Sequence, residues 1–243
     1  MLCNIEANRG MPIATDERNI GSKEEFLDWA EICENVSLWD YNIQFANLVS
    51  PFPNLRTLGP NMRFFVENNL KLLFSQCNRD IGGEFSELRG YMLAKVAWDP
   101  YCDEIAVMED FCNHYYGQAS SDILKYINEI HDALDHTDGY LNIFNGPKNA
   151  KDTYLTLDLY NRYNELFDSA EECVSEDETL LLRVQTARLP LYYAGIELEY
   201  GTCDERLNMI MNFAKLARKT NLHKVEEWKI TVDKFLVDAL SSL

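Results

Sequence analysis

Three apolar runs in the first eighty-two residues, each separated from the next by a helical stretch, constrain this chain most. Leu2 to Ala7, Val36 to Tyr41 and Leu70 to Cys77 read as strands. The stretches between them are long enough for crossover helices, so the strands pair in parallel with right-handed connections. Lys23 to Cys33 places Phe26, Leu27, Ala30 and Cys33 on one helical face, with Ser22 as N-cap and Glu25 three residues on. Pro51-Phe52-Pro53 is rigid punctuation. Asn54 then caps a helix reaching about Asn69, interrupted at Gly59-Pro60.

After Gly82-Gly83 the pattern is wholly helical. Apolar periodicity predicts helices over about 84–98, 103–116, 120–136, 151–174, 178–200, 204–220 and 223–241. Asp99-Pro100, Gly117, Asp138-Gly139, Asn145-Gly146-Pro147, Gly201 and Asn221 mark the breaks. Pro190 should kink its helix rather than end it, because the periodicity continues on both sides. Long helices joined by short connections favour antiparallel neighbours in a bundle. The chain thus divides into residues 1–82, α/β, and 83–243, helical.

Parallel sheets are buried on both faces and seldom stand with so few strands. Leu70-Lys71-Leu72-Leu73-Phe74 is too apolar to face water on either side. The expected fold class is therefore α/β then mostly α: the last three βα units of a (β/α)8 TIM-like barrel, followed by a helical bundle domain. The other five units would lie outside this chain, or a second chain would cover the sheet edge. The alternative is a self-contained three-layer domain whose edges are covered by its helices.

Charge removes some partners. Forty acids against 22 bases give a formal charge of −18, of which −13 falls on residues 101–243. That field repels phosphate backbones and anionic membrane surfaces, so no nucleic-acid partner is expected. The most apolar stretch, Thr179 to Ile196, carries Arg183, Gln185, Arg188 and Pro190, so it reads as a buried helix and no membrane insertion is expected. The seven cysteines form no Cys-x-x-Cys pair and read mostly as small buried hydrophobes. A reducing, cytoplasmic setting suits the chain as given. A periplasmic or cell-surface setting, with one or two disulfides, would follow from an upstream signal.

A longer set of motifs carries a resemblance. Trp39-Asp40-Tyr41, Pro51-Phe52-Pro53-Asn54-Leu55, Gly59-Pro60-Asn61 with Arg63-Phe64-Phe65, and Gly83-Glu84-Phe85-Ser86-Glu87-Leu88-Arg89 occur in order. Leu93-Ala94-Lys95, Trp98-Asp99-Pro100, Phe111 and Tyr115-Tyr116-Gly117 continue them. Together they resemble a bacterial family, common in gut Bacteroidetes, of uncharacterised glycoside-hydrolase-like proteins. Its domain of unknown function spans a barrel's end and a helical C-terminal region, and its full-length members look like relatives of α-glucuronidases. The resemblance covers about residues 1–135. It implies the C-terminal part of a protein acting on complex glycans, uronic-acid glycans among them, with the helical domain bracing the barrel and the chain alone inactive. The alternative is a non-catalytic carbohydrate-binding or structural interaction module. One departure stands out: the family's third strand usually ends Phe-Glu-Gln-Gly, where this chain has Phe74-Ser75-Gln76-Cys77. Ser75 cannot perform the role of an acid.

In a barrel the loops after the strand C-termini build the site. That rule selects Glu6, Asp40 and Gln76, with Asn4, Trp39, Tyr41, Asn42 and Asn78 beside them. Adjacent strands would hold the carboxyls of Glu6 and Asp40 at glycosidase separations of ~5–9 Å, one as acid and the other as base or nucleophile. Trp39 and Tyr41 would offer flat faces to a sugar, Gln76 and Asn78 would hydrogen-bond it, and Glu84 would touch it from the rim. The plainer reading gives Asp40 to a loop or an arginine, leaves Glu6 solvated and packs Trp39 in the core. Glu84 and Glu87 then simply open a helix, and Arg89 pairs with Glu87 to fasten it. No metal is expected: His131 and His136 lie on different sides of a helix, and the acids from Asp168 to Glu178 lack EF-hand spacing. No cofactor is expected either, since Gly82-Gly83-Glu84 lacks the spacing of a glycine fingerprint. Tyr154, Tyr160, Tyr163, Tyr192, Tyr193 and Tyr200 recur at helical spacing and read as packing.

Overall fold

A computed structural model describes residues 1–77 and 83–243. Three parallel strands, β1 (Leu2–Cys3), β2 (Val36–Tyr41) and β3 (Leu70–Gln76), form one sheet in the order β1-β2-β3. The first pair sets Cys3 opposite Trp39, and the second sets Trp39 opposite Phe74 and Tyr41 opposite Gln76. The parallel pairing follows the sequence expectation, but the first strand is much shorter than Leu2 to Ala7. Arg9 is the cause. Its guanidinium, 3 % exposed as a side chain, reaches Asp40 and the Asn4 carbonyl, and folding the chain back to make those bonds ends the strand.

The crossover helices are α1 (Ile20–Ile32), extended at its start by a 3-10 turn over Glu17–Asn19, and α2 (Leu58–Glu67), preceded by one over Leu55–Thr57. Asp16, rather than Ser22, caps the first of these through the Arg18 amide. Asn54 makes no side-chain cap; its carboxamide accepts from Arg89 and donates to the Asn42 carbonyl. Gly59-Pro60 falls in the first turn of α2, where a proline forfeits no helical hydrogen bond.

The remaining helices are α3 (Ser86–Trp98), α4 (Glu104–Tyr116), α5 (Ser120–Asp135), the short α6 (Pro147–Ala150), α7 (Leu157–Cys173), α8 (Glu178–Glu197), α9 (Cys203–Thr220) and α10 (Val232–Ser241). Apart from α6, each long helix packs on the next in chain order. α8 runs unbroken through Pro190. Two helices begin later than expected. Residues 151–155 form turns that bury Tyr154 and Leu155 before Thr156 caps α7. Asn221, in the left-handed conformation, ends α9, and Thr231 caps α10, so residues 223–231 are a loop where helix was expected.

The change of pattern at Gly82-Gly83 is not a break in packing. Phe52, Leu55 and Leu58 share one core with α3 to α8, while Tyr41, Ile43, Phe45, Leu48 and Val49 share a second with α8 to α10. Val96 of α3 joins the third, between sheet and crossover helices. Of the cysteines only Cys112 is buried; all seven are free. Burying an apolar thiol needs room on a core face, and Cys3, Cys173 and Cys203 lie exposed instead. No helix among the described residues is long and apolar enough to cross a membrane.

Candidate functional site

Alternation along the strands gives the sheet two unlike faces. Leu2, Val36, Leu38, Leu70 and Leu73 pack with Phe26, Met62, Phe64 and Phe65 of the crossover helices. The opposite face carries Cys3, Ser37, Trp39, Tyr41, Leu72, Phe74 and Gln76. On it Trp39 is 38 % exposed, Phe74 47 % and Leu72 55 %. Both crossover helices lie on one side, so this second face is open around Trp39, Leu72 and Phe74 and closed at Tyr41, which packs on Phe45.

Asp40 lies on the first face, at the C-terminal end of β2. Arg9 Nη1 donates to its Oδ1 at 2.8 Å, Asn4 Nδ2 to the same oxygen at 2.6 Å, and Asn42 Nδ2 to Oδ2 at 2.8 Å. Asn42 also donates to Ser75, which sits opposite Asp40 in the register. Burial pushes the Arg9 guanidinium below its ordinary range, and Asp40 opposes that shift. Glu6 is exposed on the loop after β1; its backbone carbonyl accepts from the Tyr140 hydroxyl. The structure therefore brings Asp40 to Arg9, not to Glu6.

The open face is an aromatic array. The Trp39 and Phe74 rings meet edge to face at 5.0 Å, and Trp39 stacks on Tyr41 at 6.0 Å with the planes 13° apart. The Trp39 indole N–H donates to Gln76 Oε1 at 2.8 Å. Tyr41 is only 9 % exposed and backs Trp39 rather than standing beside it. Its hydroxyl lies 3.1 Å from Cys3 Sγ, and its pKa is pushed up to about 12, first by burial, then by that bond, with the Glu227 carboxylate adding to the shift. Phe74 joins this array although the strand's apolar run predicted burial. Asn78 lies outside the described residues.

Glu84, expected at the rim, is 5 % exposed and pairs with Arg89, whose guanidinium also holds the Glu84 and Phe52 carbonyls. Arg89 thus fastens the start of α3 as expected, with Glu84 in place of Glu87. Burial, opposed by Arg89, pushes the Glu84 carboxyl above its ordinary range.

The loop over residues 223–231 lies beside the C-terminal end of β3. Lys224 and Thr231 form an antiparallel bridge, the Leu48 amide donates to the Val225 carbonyl at 2.8 Å, and the Glu227 amide donates to the Phe45 carbonyl at 3.0 Å. Gln76 Nε2 donates to Glu227 Oε1 at 3.4 Å. A cleft of about 220 Å³ opens here, lined by Ile43, Phe45, Leu48, Cys77, His223, Lys224 and Glu227. The sequence signals for this loop were Asn221 as a helix stop and Thr231 as a cap, with Asp233 in the first turn of α10. Among the described residues no group of three His, Cys, Asp or Glu side chains is placed to hold a metal ion.

Fold and site define an α/β protein whose short parallel sheet is covered on one face by crossover helices and flanked by a helical bundle. The chain belongs to the family described as Domain of unknown function (DUF4838), whose profile matches residues 1–128, just over half of its length. That match takes in the whole sheet, α3, α4 and the first part of α5. No curated protein and no solved structure matches the chain.

Proposed function

We propose that the chain is the C-terminal sector of a glycoside-hydrolase-like protein, three successive βα units of a barrel with their bracing helices, and that the C-terminal end of its open sheet face is turned to a glycan. The observation that carries this is the asymmetry of the sheet: aliphatic toward α1 and α2, aromatic and part-exposed on the other side. Parallel strands in sequential order with both helices on one face suit adjacent barrel units, whose other face lines the barrel interior. In that setting Ser37 with Leu72, Cys3 with Trp39 and Phe74, and Tyr41 with Gln76 form successive layers toward the strand C-termini, where barrel sites lie.

The chemistry of this sector is recognition. Among the described residues Asp40 is paired with Arg9 rather than set across from a second carboxyl. Bond cleavage belongs to the complete barrel. Trp39 and Phe74 supply the apolar faces on which sugar rings stack, and Gln76 supplies the polar edge. Saturation-transfer NMR of the chain with cellobiose, lactose and maltose tests this. Binding by at least one, lost in Trp39→Ala and kept in Asp40→Asn, is the expected result; no transfer to any of the three overturns the reading.

A second reading, an interaction module, rests on a groove along α8 between α7 and α9, with cavities of about 740 and 430 Å³ sharing Tyr192 and Asn212. A Tyr192→Ala, Met209→Ala double variant blunts that groove. Saccharide binding that survives there but not in Trp39→Ala separates the two readings.

A further inference from the structure

The loop over residues 223–231 carries a carboxylate onto the open face, and its packing does not require one. The loop is anchored by backbone: the Glu227 amide on the Phe45 carbonyl, the Val225 carbonyl on the Leu48 amide, and the Val225 amide on the Ile230 carbonyl. Lys224 Nζ caps the Glu227 carbonyl at 3.1 Å. The Glu227 side chain serves none of these. One of its carboxylate oxygens accepts from Gln76, while the Gln76 carbonyl oxygen accepts from the Trp39 indole. The Gln76 amide therefore lies between ring and carboxylate, close to the indole at 2.8 Å and more loosely linked to Glu227 at 3.4 Å. An ionised carboxylate has about four lone-pair sites, so Glu227 keeps acceptor capacity beyond the Gln76 bond.

A flat apolar surface edged by an amide and a carboxylate matches one kind of ligand. A pyranose presents a C–H face to an aromatic ring and equatorial hydroxyls at its rim, and a hydroxyl donating to an ionised acceptor makes the stronger class of hydrogen bond. Charge then chooses among saccharides. The cleft holds one acid and one base, Glu227 and Lys224, beside His223, and the Lys224 ammonium gives one of its three donors to a backbone carbonyl. An anionic sugar would meet Glu227 and the field of a chain carrying −18.

We propose that Glu227 is a ligand-binding carboxylate of this site and that it selects a neutral saccharide, whose ring stacks on Trp39 and Phe74 while a hydroxyl donates to Glu227. The proposal rests on the open-face reading above. The test is titration of the chain with cellobiose, lactose and maltose, each beside a glucuronate-containing disaccharide, repeated for Glu227→Gln and Trp39→Ala. The expected result is at least tenfold tighter binding of a neutral probe than of its uronate counterpart. In Glu227→Gln neutral binding weakens at least tenfold at unchanged melting temperature, and the preference against the uronate shrinks. Full neutral binding in Glu227→Gln, with loss in Trp39→Ala, overturns the role of Glu227 and leaves the open face standing. Tighter uronate binding overturns the selectivity. Failure of every probe to bind the unmodified chain overturns both readings.

Discussion

Asp40, a candidate acid or base in the sequence, is in space also the partner of a buried arginine. A carboxylate after an aromatic residue at a strand's end invites a catalytic role, yet its oxygens are taken by Arg9, Asn4 and Asn42. The plainer expectation, an arginine partner, was legible as a type of contact, but Arg9 could not be named because the shortness of β1 is a three-dimensional consequence. Asp40→Asn leaves Arg9 buried beside a neutral amide. Removing one partner of a buried pair costs about 3–5 kcal/mol, so urea unfolding should show a loss of that size. A loss below about 1 kcal/mol would mean that the pair does not hold the loop. His131 gives a second expectation at this scale. Its Nε2 accepts the Leu55 amide at 3.0 Å while Nδ1 donates to the Ile127 carbonyl at 2.7 Å, an arrangement only the neutral ring can make. Burial pushes its pKa down to about 3, against an ordinary value of 6.5. The unfolded chain then binds a proton that the folded chain refuses between those values. His131 should therefore lower stability by about 1.4 kcal/mol for each pH unit of acidification through that window. Unfolding free energies measured from pH 7.5 to 5 should fall more steeply for the unmodified chain than for His131→Gln; equal slopes would refute the assignment.

At the scale of elements, the helices were the most legible part. Periodicity located α4, α5, α8 and α9 to within a few residues, because amphipathic spacing and caps are written locally. The failures share one cause. Residues 151–155 and 223–231 have helix-compatible composition, but tertiary contacts hold them out of helix: Tyr154 and Leu155 enter the main core, and Val225 is tied to Leu48. Seams between helices likewise depend on close approaches that sequence does not announce. A Cβ added at Gly195 of α8 would stand 2.2 Å from the Tyr160 hydroxyl of α7 and 2.7 Å from Met209 Sδ of α9. Gly195→Ala should thus push both neighbours apart and destabilise by about 1–3 kcal/mol, despite alanine's better helix propensity. An unchanged or raised melting temperature would show that α7 and α9 yield freely.

Over the whole molecule, sequence conveyed parallel pairing and the turn to helices after Gly82-Gly83, and the family match runs across that junction to residue 128. It did not convey that the cores are shared across the junction, or which sheet face stays open. A strand's alternation gives two sets of side chains, and only packing decides which set the helices cover. Phe74 and Leu72, read as buried, and Glu227, read as helical, are on or beside the open face for that reason. The proposed function depends on that face. The most direct measurement is a titration of the 15N-labelled chain with cellobiose, lactose and maltose, following the indole N–H resonances. Trp39 donates to Gln76 on the open face, whereas Trp98 stands 92 % exposed at the end of α3 and serves as an internal control. A saturable shift of the Trp39 resonance with at least one sugar, while Trp98 stays fixed, is the expected result; a Trp39 resonance that stays put with all three, or that moves no more than Trp98, contradicts it.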